Sequence, residues 1–306
     1  MAPRVTFMGL GPMGLAMSEN LLRYGDIEKP LVLYNRTREK AEAHSSRLGN
    51  CQVADSVANA VLFSDIIWLC LQDQKAIEET FQKILSTDIR GKLFVDSSTT
   101  SPEMVDSIAQ RVSDGGGHFV AVPVMGGPPL AISRSLTCIA SGDSKSVDTI
   151  RPYLEGVVGS NIVDLSGENP GAALLLKLMG NFLIMATIET VAEAHAFAET
   201  CGIGTKNMDK LMAAVFPRPP HALYNHQMLS GECFSGKPLV EVSKALLLTG
   251  RVMELAQKHG ASVKIYEIAR EHLKFVKDHE GPDADITAIY GAVRVESGLP
   301  FRPSRE

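Results

Sequence analysis

Along the first half of the chain, apolar residues come in short runs separated by stretches of helical spacing. The runs at 4–8, 31–34, 66–71, 93–96, 119–124, 136–140 and 161–164 predict buried strands. The stretches 12–24, 37–48, 74–85, 102–113 and 144–155 repeat apolar residues every third or fourth position, which predicts amphipathic helices. Strands alternating with helices in this way form a mostly parallel sheet covered on both faces, an α/β doubly wound architecture. Ligands of such sheets bind at the carboxyl ends of the strands, so chemistry is expected in the loops that follow them.

Past about residue 168 the strand pattern stops. The run 169–199 reads as one helix of about 30 residues, about 45 Å long at the rise of an α-helix. Its apolar residues, among them Leu174, Leu178, Phe182, Met185, Ile188 and Phe197, are spread around the axis. A helix apolar on all sides must bury against more than its own domain, and a partner subunit is one way to cover it. The part 170–188 also raises the question of a membrane span, but Lys177 and Asn181 in its middle would be costly in lipid, which favours a helix buried in protein. The rest reads as helices interrupted at Pro217-Arg218-Pro219-Pro220 and Gly281-Pro282, with a loose tail over 300–306. The expected organisation is a nucleotide-binding sheet domain over 1–166, an interdomain helix over 167–199 and an all-α domain over 200–306.

Between the first strand and the first helix stands Gly9-Leu10-Gly11-Pro12-Met13-Gly14. A G-x-G-x-x-G placed there is the dinucleotide fingerprint of a Rossmann-type domain. Gly9 permits the tight turn, Gly11 lets the backbone approach a pyrophosphate, and Gly14 lets the helix pack on the strand. The helix N-terminus beginning at Pro12 and Met13 offers N–H groups and a partial positive charge to the phosphates. The second strand ends in Asn35-Arg36-Thr37-Arg38. An NAD site usually has an acidic residue here for the ribose 2′-hydroxyl. Asn35, Arg36 and Thr37, with Arg38, instead suit a 2′-phosphate, so NADP(H) is the expected cofactor. The plainer alternative is that Arg36 and Arg38 only open a solvated helix.

Composition narrows the classes. A net charge of −5 argues against a nucleic-acid binder. Five cysteines without close spacing suggest neither a zinc site nor a disulfide framework, and no metal is expected. Reduced thiols fit the cytoplasm, and the first strand begins too early in the sequence to leave room for a signal peptide.

Three further motifs follow in order. Asp96-Ser97-Ser98-Thr99-Thr100-Ser101-Pro102 and Val122-Pro123-Val124-Met125-Gly126-Gly127 each end a predicted strand. The third runs from Gly171 to Lys177 and on to Asn181 along the long helix. Together with the glycine loop, this set resembles the signature of the β-hydroxyacid dehydrogenases, which include 3-hydroxyisobutyrate dehydrogenases, tartronate semialdehyde reductases and glyoxylate/succinic semialdehyde reductases. The resemblance implies a small aldehyde or keto acid as substrate, interconverted with its hydroxy acid. It implies Lys177 as general acid and base, with Asn181 beside it. Leu71, Thr99 and Lys244 would contact the cofactor, and Met125, Gly126 and Gly127 the substrate. It also implies a homodimer or larger homo-oligomer. From the residues alone, a lysine among leucines on a buried helix needs a task or a partner, unless it snorkels to solvent. Thr99 could equally serve a helix start, since Ser101-Pro102 follows.

Three positions depart from the family pattern: Met125 where Ser is usual, Gly180 where Asn is common, and Ala245 where Asp follows the lysine. All three make the expected pocket less polar. An imine reductase on the same fold is the alternative enzyme, although Lys177 speaks against it, and a cofactor-binding module without catalysis is a further one. His195 reads as a satisfied core histidine, and His221 and His226 form no metal pattern. Arg218 and Tyr224 are further polar residues whose place sequence leaves open.

Overall fold

Nine strands form one sheet in a computed structural model that describes residues 1–303. They are β1 (Arg4–Met8), β2 (Glu28–Tyr34), β3 (Cys51–Val53), β4 (Ile66–Leu69), β5 (Leu93–Asp96), β6 (His118–Ala121), β7 (Val124–Met125), β8 (Leu136–Gly142) and β9 (Gly159–Ser166). The order β3-β2-β1-β4-β5-β6 is parallel throughout and is the order of a Rossmann sheet. Beyond it β8 pairs antiparallel with both β6 and β7, and β9 pairs parallel with β8. The interior strands β4 and β5 are buried at every position, as continuous apolar runs require when helices cover both faces. The strand order reverses at β1 and β4, which opens a crevice at their carboxyl ends.

The helices are α1 (Pro12–Tyr24), α2 (Arg38–Leu48), α3 (Val57–Phe63), α4 (Gln74–Leu85), α5 (Pro102–Asp114), α6 (Pro128–Ile132), α7 (Ser144–Leu154), α8 (Gly171–Thr200), α9 (Thr205–Val215), α10 (His221–Leu229), α11 (Glu232–Ser235), α12 (Val242–Lys258), α13 (Lys264–Glu280) and α14 (Ile289–Glu296). β3, α3 and α6 are additions to the sequence reading. The predicted strand 119–124 is two strands, because Val122-Pro123 breaks it, and the predicted strand 66–71 stops at Leu69, which leaves Cys70 and Leu71 in the loop.

Two compact units divide the chain, Met1–Lys177 and Leu178–Glu306, with the boundary inside α8. α8 is long and apolar enough to cross a membrane by length and composition. Its Ala173 and Leu174 join one core of the first unit, whereas Leu178, Met185, Ile188, Val191, Ala192 and Ala196 join the core of the second. Asp106 holds the start of α8, accepting from the Gly171 N–H at 2.8 Å. In the second unit, the tail expected to be loose is anchored at its beginning: Phe301 is buried, and Arg294 Nε donates to the Pro300 carbonyl at 2.8 Å. The remainder of that tail, 304–306, lies outside the described residues.

Candidate active site

The glycine loop has the stereochemistry its three glycines imply. Gly9 has φ +95°, and a Cβ there would stand 2.3 Å from the Cys70 carbonyl oxygen. A Cβ on Gly14 would stand 1.9 Å from the Gly9 carbonyl oxygen, so α1 lies directly on the turn. Gly11 has no atom within 4 Å of where its Cβ would be. It is the N-cap of α1 and makes no side-chain capping bond, with Pro12 next in the helix. The first turn of α1, with the N–H groups of Met13 and Gly14, therefore has no side-chain cap at Gly11, and the space where a Gly11 side chain would stand is open among the described residues. A dinucleotide's pyrophosphate fits that cradle.

At the end of β2, Asn35 ties the loop in place. Its Oδ1 accepts from the Leu10 N–H at 2.9 Å and its Nδ2 donates to the Thr37 carbonyl at 2.9 Å. Arg38 is taken by Glu42 at 2.7 Å and Asp55 at 2.6 Å, so the plainer reading, a solvated helix start, holds for it. Arg36 is exposed and makes no ion pair among the described residues. Thr37 starts α2 without a side-chain cap bond.

The turn after β5 assembles a second group of residues. Lys177 Nζ donates to Thr99 Oγ1 at 2.6 Å, bringing together two residues far apart in sequence. Lys177 is thus half-buried and held, not stretched out into solvent. The helix cap there is Ser101, whose Oγ accepts from the Met104 N–H at 3.3 Å. Ser98 Oγ accepts from the Leu71 N–H at 2.8 Å, and Trp68 Nε1 donates to Ser97 Oγ at 2.9 Å. Leu71 also lies against Gly9. Asp96 ends β5, buried, with Oδ1 accepting from the Ser98 N–H at 2.9 Å. Burial pushes its carboxyl above the usual range, with Ser98 and the Lys177 cation pulling the other way. Sequence reading quoted Asp96 inside a motif and assigned it nothing.

One strand further, Met125 is half-buried at the end of β7 against the core that contains Ala173 and Leu174. Gly126 has φ +119° and Gly127 is the N-cap of α6. Pro128 and Pro129 follow, so the loop offers backbone N–H groups only at the two glycines. Its neighbouring side chains Leu130 and Ile132 are exposed and apolar.

Residues 4–167 match the family described as the NAD binding domain of 6-phosphogluconate dehydrogenase. The chain belongs to the 6-phosphogluconate dehydrogenase-like β-hydroxyacid dehydrogenase family. It is an oxidoreductase of that family with a nicotinamide-dinucleotide-binding domain. A relative in Aspergillus ustus, named NADH-dependent oxidoreductase ucdB, is 78% identical over 94% of this chain and 98% of its own length. The 2-hydroxy-3-oxopropionate reductase of Escherichia coli is 29% identical over 65% of this chain and 66% of its own. Among solved structures, the 3-hydroxyisobutyrate dehydrogenase of Mycobacterium tuberculosis shares the fold with a TM-score of 0.82 at 23% identity, covering 96% of this chain and all of that one (100%).

The remaining family positions fall in the second unit. Asn181 lies on α8 four residues past Lys177, with Gly180 before it, and its Nδ2 is buried without a hydrogen-bond partner among the described residues. Lys244 donates to Glu241 at 2.8 Å and is largely exposed, while Ala245 beside it is in the core. His195 is a core residue: Nε2 pairs with Asn225 Oδ1 at 2.7 Å, Nδ1 has no hydrogen-bond partner among the described residues, and burial lowers its pKa. His221 stacks on Phe216 and Tyr224 is buried in the core. Among the described residues, no group of three or more His, Cys, Asp or Glu side chains is arranged to hold a metal.

Proposed function

We propose that the chain interconverts a small aldehyde or keto acid and its hydroxy acid, with Lys177 as the general acid of reduction and the general base of oxidation. The observation that carries this reading is the hydrogen bond from Lys177 Nζ to Thr99 Oγ1, 2.6 Å long, beside the dinucleotide cradle. A reduced nicotinamide held by the glycine loop would supply a hydride, and with it an electron pair, for the carbonyl carbon. As the carbon–oxygen π pair moves onto oxygen, an Nζ–H bond of Lys177 breaks and the proton passes to that oxygen. Thr99 holds Nζ at one angle while this happens. Asn181 supports the reading with a buried amide donor that lacks an acceptor, as a residue reserved for a substrate oxygen would. Gly126 and Gly127 would hold the substrate carboxylate through their N–H groups, with Met125 as an apolar wall.

For the cofactor, Arg36 supports NADPH, since an exposed guanidinium without an ion pair is matched to a 2′-phosphate. NADH is the second reading. It is favoured by the name of the relative at 78% identity and by the loss of Arg38 to Glu42 and Asp55. Leu71, Thr99 and Lys244 complete the cofactor set. Five free cysteines support a reducing compartment such as the cytoplasm. A homo-oligomer is supported by large exposed apolar side chains of the second unit, Leu183 at 63%, Phe197 at 68% and Leu247 at 72%.

The test follows oxidation of NADPH and of NADH with glyoxylate, succinic semialdehyde, methylmalonate semialdehyde and tartronate semialdehyde. Turnover of at least one is expected, with NADPH the better donor. Lys177→Ala should lose about 10²–10⁴-fold in kcat with cofactor affinity unchanged. Near-full turnover by Lys177→Ala would remove the lysine from the mechanism. Activity on cyclic imines alone would make the chain an imine reductase, and tight cofactor binding without any turnover a binding module.

A further inference from the structure

Asp96 is an unusual choice for its place. Its Oδ1 closes a turn onto the Ser98 N–H at 2.9 Å, a task an asparagine oxygen performs equally well without bringing charge into the interior. Its Oδ2 is buried with no hydrogen-bond partner among the described residues. A carboxylate oxygen left so is costly unless a nearby cation compensates or the carboxyl takes up a proton, the direction in which burial pushes Asp96 and against which Lys177 acts. Two titratable groups face it. The Cys70 thiol, after β4, is pushed by burial up to about 12 and stays neutral. The other is Lys177 on α8, whose charge acts on both Asp96 and Cys70. The turn that Asp96 closes carries Ser98, which receives the Leu71 N–H, and next to it Thr99, which receives Lys177 Nζ.

We infer that Asp96 is a positioning residue for Lys177: its carboxylate fixes the turn that presents Thr99 and holds the neighbouring Nζ in the ammonium form. The inference rests on the reading of Lys177 as the proton donor. It adds a reason for that donor to be loaded, since a half-buried lysine beside a carboxylate keeps its proton to higher pH than one beside an amide. Asp96 gives up no proton itself. It acts on the population of the acid that does.

Lys177 can be read without any substrate. Acetic anhydride acetylates only the neutral amine, so labelling of Lys177 across a pH series, quantified by mass spectrometry on the intact protein, gives the midpoint of its titration. In Asp96→Asn the turn oxygen remains and the charge is gone. The midpoint should fall by about one unit or more, which is about tenfold greater labelling at a fixed pH below it. Asp96→Ser, whose hydroxyl also accepts from the Ser98 N–H, should fall likewise and serves where the Asn variant folds poorly. An unmoved midpoint in either folded variant overturns the inference. Turnover by Lys177→Ala decides separately whether Lys177 is the acid at all, so the two failures are distinguishable.

Discussion

Two loops of the first unit follow strands of one sheet, β1 in its parallel part and β7 paired antiparallel with β8, and both contain paired or near-paired glycines, yet they are built on different terms. The loop after β1 is closed on all sides but one. Gly9 and Gly14 have no room for a methyl group, and only Gly11 faces open space. The loop around β7 is enclosed by side chains instead: a Cβ on Gly126 would stand 2.8 Å from Leu136 Cδ2 and 3.0 Å from Leu130 Cδ1, and one on Gly127 would come no nearer than 3.7 Å to Pro129. The first loop is dictated by the backbone, and on the proposed reading it would face the pyrophosphate, a group every dinucleotide shares. The second presents side chains, Met125 half-buried and Leu130 and Ile132 exposed. On the proposed reading, cofactor binding would rest on backbone stereochemistry and substrate choice on a few side chains.

The largest effect that would break this contrast lies at Gly14. In Gly14→Ala the methyl group meets the Gly9 carbonyl oxygen at 1.9 Å, and backbone must move. A loss of about 3 kcal/mol in unfolding free energy is expected, together with NAD(P)H affinity, read by denaturant titration and by quenching of intrinsic fluorescence. Retained affinity would mean that the loop is softer than its packing. A smaller effect belongs to Met125. Met125→Ser adds a hydroxyl where the proposed carboxylate lies, worth about 1 kcal/mol, or about fivefold in KM for a carboxylated substrate. Cofactor affinity should not change. An equal KM for both proteins would put the carboxylate elsewhere.

How far sequence carries follows the same division. The strand, the glycines and the start of α1 are legible because each glycine has a steric reason that needs no neighbour known in advance. α8 is legible because a mostly apolar stretch of 30 residues without an internal proline admits little else. β3 escapes because three residues are too few to show a period, and α6 because its two leading prolines read as a turn. Partnerships escape for a different reason. Arg38 looks available to a phosphate until Asp55 is brought to it by the pairing of β2 with β3. Asn35 reads from sequence only as a member of the cluster suited to a 2′-phosphate, and nothing local announces that it also accepts from the Leu10 N–H. Asp96 and Lys177 are separated by almost half of the first unit in sequence, and no local pattern announces that Lys177 Nζ meets Thr99 in the turn that Asp96 closes.

The smallest effect is the most discriminating. Gly127 has φ −99°, a conformation open to alanine, and the added methyl makes only an ordinary contact. Gly127→Ala should leave unfolding free energy within about 0.5 kcal/mol of the parent and leave cofactor affinity unchanged. If the Gly127 N–H faces the substrate carboxylate, the methyl stands at the rim of that contact, and KM for the acid substrate should rise several-fold while kcat holds. Here a change in KM has no structural explanation to compete with it, which Gly14→Ala cannot offer. An unchanged KM would assign the α6 N-terminus to the scaffold, and the Lys177–Thr99 pair would then have to fix the substrate without it.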